Sequence, residues 1–125
     1  MILTDINSYI KSKTDIATIY EEAFPSVTEC VMARGDPSSA KIKKYYNGTE
    51  TGEQLVTFYC RSASQTTAKN QLEKIFTVIK DAQINIAGYD TMIAERVSTV
   101  TLTNYTETKV YTFAFTARVR WTRSN

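Results

Sequence analysis

Hydrophobic and polar residues alternate with a period of two along the last part of the chain, Val110–Trp121. The odd positions from Tyr111 to Trp121 are all aromatic or apolar, whereas the even positions are small, hydroxylated or cationic. Because successive side chains of a strand point to opposite faces of a sheet, this pattern predicts a strand with one face in the core. The other face presents Arg118 and Arg120, which are two residues apart and therefore project together.

Two helices are predicted from apolar residues that recur every three or four positions. A short N-terminal helix is marked by Ile2, Leu3, Ile6, Tyr9 and Ile10, and its pattern weakens near Lys11–Lys13. The best helix begins after Ser62 or Ser64, covers Gln65–Ala82, and has Ala68, Leu72, Ile75, Phe76 and Ile79 on one side. We expect this stripe to pack against the odd-numbered face of the last strand.

Shorter patterns predict further strands. Thr28–Arg34 has apolar side chains at both odd and even positions, which is typical of a strand covered on both faces or lying at an interface. Leu55–Arg61 and Met92–Val97 are predicted to be strands. Ser98–Thr103 suits a strand or an extended loop, and Asp15–Ala23 suits a helix or a strand.

Turns and loops are predicted between these elements from Gly, Pro, Asn and Ser. The predicted loops are Gly35–Ala40, a turn at Asn47 that continues through Gly52, and Asn104–Lys109. The resulting order of helix, strands, helix and strands predicts the α+β class: a mostly antiparallel sheet with one long helix packed on one face and a short N-terminal helix. At 125 residues the chain is most simply a single domain, residues 1–125.

Composition excludes several kinds of chemistry. The chain has no histidine, so it cannot by itself form a Ser-His-Asp triad, a Cys-His pair or a histidine-containing zinc site. Cys30 and Cys60 are far apart in predicted strands, and we expect two buried, reduced thiols. The N-terminal residues lack a signal-peptide pattern, and no segment is long and apolar enough to span a membrane, which predicts a cytoplasmic protein without a membrane partner.

No catalytic residue, cofactor site or metal site is predicted. The sequence contains no D-x-D run, no glycine-rich phosphate loop and no cluster of metal ligands, and it has only four glycines. The net charge of +2 is close to neutral, which argues against a protein dedicated to coating DNA. We therefore expect a protein that is not an enzyme.

Two basic groups are candidates for binding a macromolecule. Arg118, Arg120 and Arg123 could line a polyanion site, pair with acidic residues of a neighbouring subunit, or be solvated. Lys41, Lys43 and Lys44 precede Tyr45 and Tyr46, a combination that could contact phosphates and stack on bases. An exposed loop or an edge strand, where lysines discourage unwanted pairing, is the favoured interpretation of the lysines.

The whole pattern resembles the small phage proteins known as tail-terminator, tail-completion or minor capsid proteins. The resemblance rests on a short first helix that leads to IATIYEEAFP (residues 16–25), the strand CVMA (30–33) and a GDPSS loop (35–39). It continues with a strand ending in VTFYCR (56–61) that leads directly into the helix Gln65–Ala82, and with a closing Y-x-F-x-F-x-A-x-V strand (111–119). The likeness covers nearly the whole chain in pattern and spacing.

The resemblance implies a structural role in the virion. Such proteins form a ring, typically a hexamer, that stops polymerisation of the tail tube at its head-proximal end and offers a surface for joining the head. The implied partners are further copies of the chain, the tail tube protein and a head-completion or connector protein, with possible DNA in the lumen. A head–tail connector or stopper is the nearest alternative, and a small nucleic-acid-binding module is a third.

Overall fold

The computed structural model of the protein describes residues 2–14, 16, 19–21, 29–36, 41–46, 48–79, 89–105 and 110–123. These ranges contain two helices and seven strands, and sheet predominates over helix. In chain order the elements are α1 (Ile2–Lys13), β1 (Tyr20–Glu21), β2 (Cys30–Gly35), β3 (Lys41–Lys44), β4 (Glu50–Ser62), α2 (Gln65–Ile79), β5 (Thr91–Arg96), β6 (Thr101–Tyr105) and β7 (Tyr111–Arg123). The α+β class predicted from the sequence is confirmed.

All seven strands belong to one mixed sheet, in which the main order is β1-β2-β4-β7-β5. β3 pairs with the beginning of β4, on the same side as β2, and β6 pairs with the beginning of β7, on the same side as β5. The β1–β2 pair is parallel, and the other described pairs are antiparallel. The sequence pattern did not indicate the parallel pair.

β4 and β7 form the centre of the sheet. They pair over 13 residues each, from Glu50 opposite Arg123 to Ser62 opposite Tyr111. Phe58 and Phe115 lie opposite each other, are 0% and 1% exposed, and stack with ring centroids 5.3 Å apart. The predicted core face of the last strand is therefore confirmed, and we call this side of the sheet the helix face.

The helix α2 packs on the helix face. Ser64 caps its N-terminus, because the Ser64 hydroxyl accepts a bond from the amide of Thr67 at 3.3 Å. The buried residues of α2 are Ala68, Leu72, Ile75 and Ile79, which are the positions predicted from the apolar spacing. Phe76 meets the edge of Phe115 at 6.1 Å between ring centroids, so α2 and β7 are partners as expected.

The helix α1 buries Ile6 and Ile10 completely in the same core. Its polar side chains fasten it to the sheet at two places. Asn7 donates to a carboxylate oxygen of Glu21 in β1 at 3.3 Å, and the hydroxyl of Tyr89 donates to Asp5 at 2.7 Å. These bonds hold α1 against β1 and against the residue Tyr89, which shortly precedes β5.

The contrast between one long and one short helix is only partly found. α1 has 12 residues and α2 has 15, so the two helices are similar in length within the described residues. The predicted end of α2 near Ala82 lies outside the described residues. The predicted N-terminal helix does end where its pattern weakens, at Lys13.

The strand bounds differ from prediction mainly in β4. The predicted loop through Gly52 is wrong, because β4 begins at Glu50 and pairs on both sides there, with β3 and β7. Cross-strand partners override the low strand propensity of Gly52 at this point. Tyr20–Glu21 forms β1, while most of Asp15–Ala23 lies outside the described residues. Thr101–Tyr105 forms β6, so Asn104 and Tyr105 belong to a strand and not to the predicted turn, and the rest of that turn, residues 106–109, lies outside the described residues.

The strand β2 is buried on both faces, as its two-sided apolarity predicts. Val31 and Ala33 belong to the core under the helices, and Cys30 and Met32 are 8% and 4% exposed on the opposite face. Cys30 lies opposite Arg61, one position from Cys60, so the two thiols point to opposite faces of the sheet. Both cysteines are free and buried, which confirms the prediction of two buried thiols. No helix within the described ranges has the length and apolarity of a membrane span.

Candidate interaction surface

The face of the sheet opposite the helices, which we call the distal face, carries most of the charged residues predicted to interact. The register of the central strands decides which side chains share it. Its charged and apolar side chains at the β3–β5 end are Lys41 and Lys43 of β3, Glu53 of β4, Arg118 and Arg120 of β7, and Ile93 and Glu95 of β5. The structure thus brings four of the six predicted interaction residues onto one surface.

Ion pairs cross this surface from strand to strand. Glu53 lies 3.6 Å from the amine of Lys41 and accepts a bond from Nε of Arg120 at 3.2 Å. Glu95 lies 3.0 Å from Nη1 of Arg118 and 3.5 Å from Nη2 of Arg120. The four strands β3, β4, β7 and β5 are therefore linked by alternating charges on the distal face.

The ion pairs reduce the net positive charge of the distal face. The bond from Arg120, followed by the charges of Lys41 and Arg120, lowers the pKa of Glu53 below its ordinary value. Three basic side chains share two carboxylates, so most of their charge is balanced within the chain. The prediction that Arg118 and Arg120 project together is confirmed, but they form a mixed-charge surface rather than a purely cationic one.

This end of the distal face is concave. A depression of about 460 Å³ extends from β3 across β4 and β7 to β5. Thr51, Glu53, Arg120 and Thr122 form its floor, with Lys41 and Lys43 on one side and Thr91 and Ile93 on the other. Ile93 is 50% exposed, which places an apolar side chain on the rim beside the charged network.

Arg123 does not join Arg118 and Arg120. It occupies an odd position, opposite Glu50, and so lies toward the helix face. Nε of Arg123 is 2.8 Å from the carboxylate of Glu50, and the guanidinium lies 5.6 Å from the ring centroid of Tyr89. The indole of Trp121 donates to the same carboxylate at 3.4 Å. A single polyanion site containing all three arginines is therefore wrong.

The three lysines lie in the exposed strand β3, which pairs with β4 alone within the part of the chain that the structure describes. Lys41 and Lys43 lie on the distal face, whereas Lys44 lies opposite Glu50 on the other face. Lys43 is 5.3 Å from the ring centroid of Tyr45. The turn that follows places the side chain of Tyr46 fully in solvent.

Gly48 explains why the chain can reverse direction between β3 and β4. Its φ of 88° is in the left-handed region, which glycine adopts without steric cost. The amide of Gly48 donates to the carbonyl of Tyr45 at 3.0 Å, and the amide of Tyr45 donates to Thr49 at 2.9 Å. The β3–β4 hairpin is therefore a closed turn with lysine and tyrosine side chains exposed.

Sequence reasoning missed the acidic half of the surface. Glu53 fell in a predicted loop, and Glu95 was not matched to any basic residue. Both are in phase with Arg118 and Arg120 only because of the strand register, in which Glu53 is opposite Arg120 and Glu95 is opposite Arg118. Alternation within each strand predicts which side chains share a face of the sheet. Which charged residues come opposite each other depends on the register between strands, which is set by the fold.

The described residues contain no group of three or more His, Cys, Asp or Glu side chains that could hold a metal ion. Burial raises the pKa of both thiols, and that of Cys60 reaches about 12. A thiol in that state is a poor nucleophile at neutral pH, because the thiolate is the reactive form.

No family model matches the chain, and no curated protein is similar to it in sequence. Solved structures do share its fold. One is a chain described as "Virion of native gene transfer agent (GTA) particle", which superposes with a TM-score of 0.64 at 9% sequence identity. The match covers 94% of this chain and 92% of the other. The chain therefore has the fold of a component of a phage-like virion.

Proposed function

We propose that this protein is a structural component of a phage or phage-like virion, and that it forms a ring which terminates the tail tube and provides the head–tail joining surface. The observation that carries the proposal is the fold shared with a chain of a gene transfer agent virion over 94% of this chain. The family resemblance in the sequence points to the tail-terminator position within such a particle.

The distal face supports assembly with protein more than binding of nucleic acid. Proteins that bind the phosphate backbone need unneutralised Lys and Arg side chains, because affinity comes from displaced counterions. Here Arg118, Arg120 and Lys41 share the carboxylates of Glu53 and Glu95, and Lys43 adds one further positive charge on the same face. A surface of alternating charges can instead select a partner with complementary charges and fix its register.

The chemistry of the described side chains is consistent with a non-enzymatic role. The sequence has no histidine, and both cysteines are buried with raised pKa values. The carboxylates Glu53 and Glu95 are bound to basic side chains, and the pKa of Glu53 is lowered rather than raised. General acid catalysis at neutral pH needs a carboxyl with a raised pKa.

The proposal is tested by mixing the purified protein with tail tubes and, separately, with filled heads of the particle that encodes it, followed by negative-stain electron microscopy. A tail terminator caps one end of the tube and stops its growth when tube protein is added. A connector or stopper binds heads and leaves tubes uncapped. Binding to neither overturns the proposal, and tight salt-dependent binding to DNA alone would favour a nucleic-acid module.

A further inference from the structure

Two sheet edges are exposed at the same end of the molecule. Among the described residues, β3 pairs with β4 alone and β5 pairs with β7 alone. Both lie at the end where β4 begins and β7 finishes, and the local order is β3-β4-β7-β5. Within the described residues this end is therefore a four-stranded unit whose outer strands, β3 and β5, have no partner strand on their outer sides.

The strand directions allow the two edges to pair with each other in different copies. β3 runs opposite to β4, β4 opposite to β7, and β7 opposite to β5. β3 and β5 therefore run in opposite directions. If copies are placed side by side in the same orientation, β5 of one and β3 of the next are antiparallel, and the ladder of hydrogen bonds can continue between them.

The side chains of the two edges are complementary. On the distal face β3 presents Lys41 and Lys43, while β5 presents Glu95, which also bonds to Arg118 and Arg120 of its own chain. The basic residue of β5, Arg96, lies on the helix face over the ring of Phe76, and the exposed Asp90 precedes the strand. Each edge also exposes an isoleucine, but Ile42, at 59%, lies on the helix face and Ile93, at 50%, lies on the distal face, so the two would not face each other in a continued sheet. Lysines on an edge strand discourage pairing with most other strands, because their charges would be left without partners. A strand that carries a carboxylate can pair with such an edge, since the opposite charges attract.

We propose that β3 of one copy pairs with β5 of the next, so that the sheet continues from subunit to subunit. This inference rests on the ring proposed above and specifies its interface. The contact is heterologous, since two different edges meet, and a heterologous contact closes into a ring when its rotation permits. An isologous pairing, β5 with β5 or β3 with β3, would stop at a dimer.

Pairing of β3 with β5 places particular residues of neighbouring copies opposite each other, and a disulfide cross-link between them can test this. In one chain, Lys41 is opposite Glu53, Glu53 is opposite Arg120, and Arg120 is opposite Ile93. Three strand spacings therefore separate Lys41 from Ile93, about 14 Å, which is too far for a disulfide within the chain. Between copies that continue the same row, Ile93 comes directly opposite Lys41; a shift of two residues brings it opposite Lys43.

The test uses full-length double variants, Lys41→Cys with Ile93→Cys and Lys43→Cys with Ile93→Cys, oxidised at concentrations where rings or oligomers are seen by light scattering and electron microscopy. We expect one double variant to give a ladder of disulfide-linked multimers on non-reducing gels. A mixture of the two matching single variants should give linked dimers only, because each copy then carries one reactive edge.

Each single variant alone should remain unlinked, as should Tyr46→Cys with Ile93→Cys, which places an equally exposed thiol at the hairpin tip as a collision control. Dimers of a single variant would reveal an isologous edge and overturn the inference. Rings without any β3–β5 cross-link would overturn the inference while leaving the proposed function intact. No oligomer at any concentration, with or without tail tubes, would overturn both.

A charge placed on the β5 edge gives an independent readout. Ile93→Lys sets a lysine against the lysines of β3, and because Ile93 is half exposed in the monomer, the fold should be retained. We expect at least a tenfold loss in the tendency to form rings, with unchanged circular dichroism and urea midpoint. Ring formation at the wild-type concentration would contradict pairing through this edge.

Discussion

Gly52 of β4 lies directly opposite Trp121 of β7, and the indole covers the glycine so closely that there is no room for a Cβ atom. A Cβ built on Gly52 would lie 2.8 Å from Cη2 of the ring and closer still to Cζ2. The indole is 6% exposed and its N–H donates to Glu50. Glycine is therefore required here by the packing of a neighbouring aromatic ring.

Gly52→Ala should destabilise the protein by about 1–3 kcal/mol, since the indole must move out of a packed position. Gly35→Ala is the matched control, because a Cβ there would meet the end of the flexible Gln54 side chain, which can rotate away. The free energy of unfolding in urea checks both variants. A larger loss for Gly35→Ala than for Gly52→Ala would contradict this account of the β4–β7 contact.

Reversing both arginines of the distal face should destabilise the fold itself. Arg118→Glu with Arg120→Glu would place four carboxylates on adjacent strands, because Glu53 and Glu95 already lie there. We expect a lower urea midpoint, with a deficit that shrinks as salt screens the repulsion. Adding Glu53→Lys and Glu95→Lys should restore the midpoint. A double variant as stable as wild type at low salt would show that the ion pairs have no structural role.

Glu53 should contribute to the loss of folding stability as the pH falls below neutral. Its pKa in the folded state is lowered, chiefly by the bond from Arg120, so its contribution is present above the unfolded pKa and is lost as the pH falls through the folded one. Glu53→Gln should therefore flatten the fall of the urea midpoint between neutral and acid pH. An acid limb identical to that of wild type would show that Glu53 does not respond to Arg120.

Tyr89 should contribute to the loss of folding stability at alkaline pH. Burial, and then the bond to Asp5, raise the pKa of its hydroxyl from 10.0 to about 12. Its contribution is therefore complete below pH 10 and lost as the pH rises from there towards 12. Tyr89→Phe should cost about 1 kcal/mol at neutral pH through the lost hydrogen bond and should reduce the alkaline slope. Absorbance titration of the phenolates measures this directly: the amplitude lost in Tyr89→Phe should fall near pH 12, and a loss centred near pH 10 would refute the assignment.

The two native thiols should not react with alkylating reagents while the protein is folded. Cys30 and Cys60 are 8% and 3% exposed, and burial raises the pKa of each. Neither should react with a maleimide in the folded protein, and both should react in urea. Ile93→Cys provides the positive control, because that position is half exposed. Rapid labelling of the wild-type protein would contradict the burial of the two cysteines.

The sequence predicted those features that depend on local periodicity. The alternation of the aromatic Phe113 and Phe115 with small or hydroxylated neighbours identified the core face of β7, and the spacing of Leu72 and Ile75 identified the buried side of α2. Both signals arise because burial repeats with the period of the element itself. The class of the fold follows from such signals in order along the chain.

The remaining features depend on register, that is, on which residues of two neighbouring strands lie opposite each other. The pattern within one strand carries no information about this alignment. The start of β4 at Glu50 is set by partners on either side, and it was hidden by the turn-forming character of Gly48 and Gly52. The pairing of Glu53 with Arg120 requires that two segments far apart in sequence align to the residue. The separation of Arg123 from Arg120 could have been found by counting, since an odd spacing changes the face of a strand.

Immunogold electron microscopy of intact particles made by the genome that encodes this chain tests the central claim most directly. Gold-labelled antibody against the protein should mark one site per particle, at the junction of tail and head, and mass spectrometry of purified particles should detect the chain in a fixed small number of copies. Label spread along the tail or over the head, or absence of the protein from purified particles, would contradict the account.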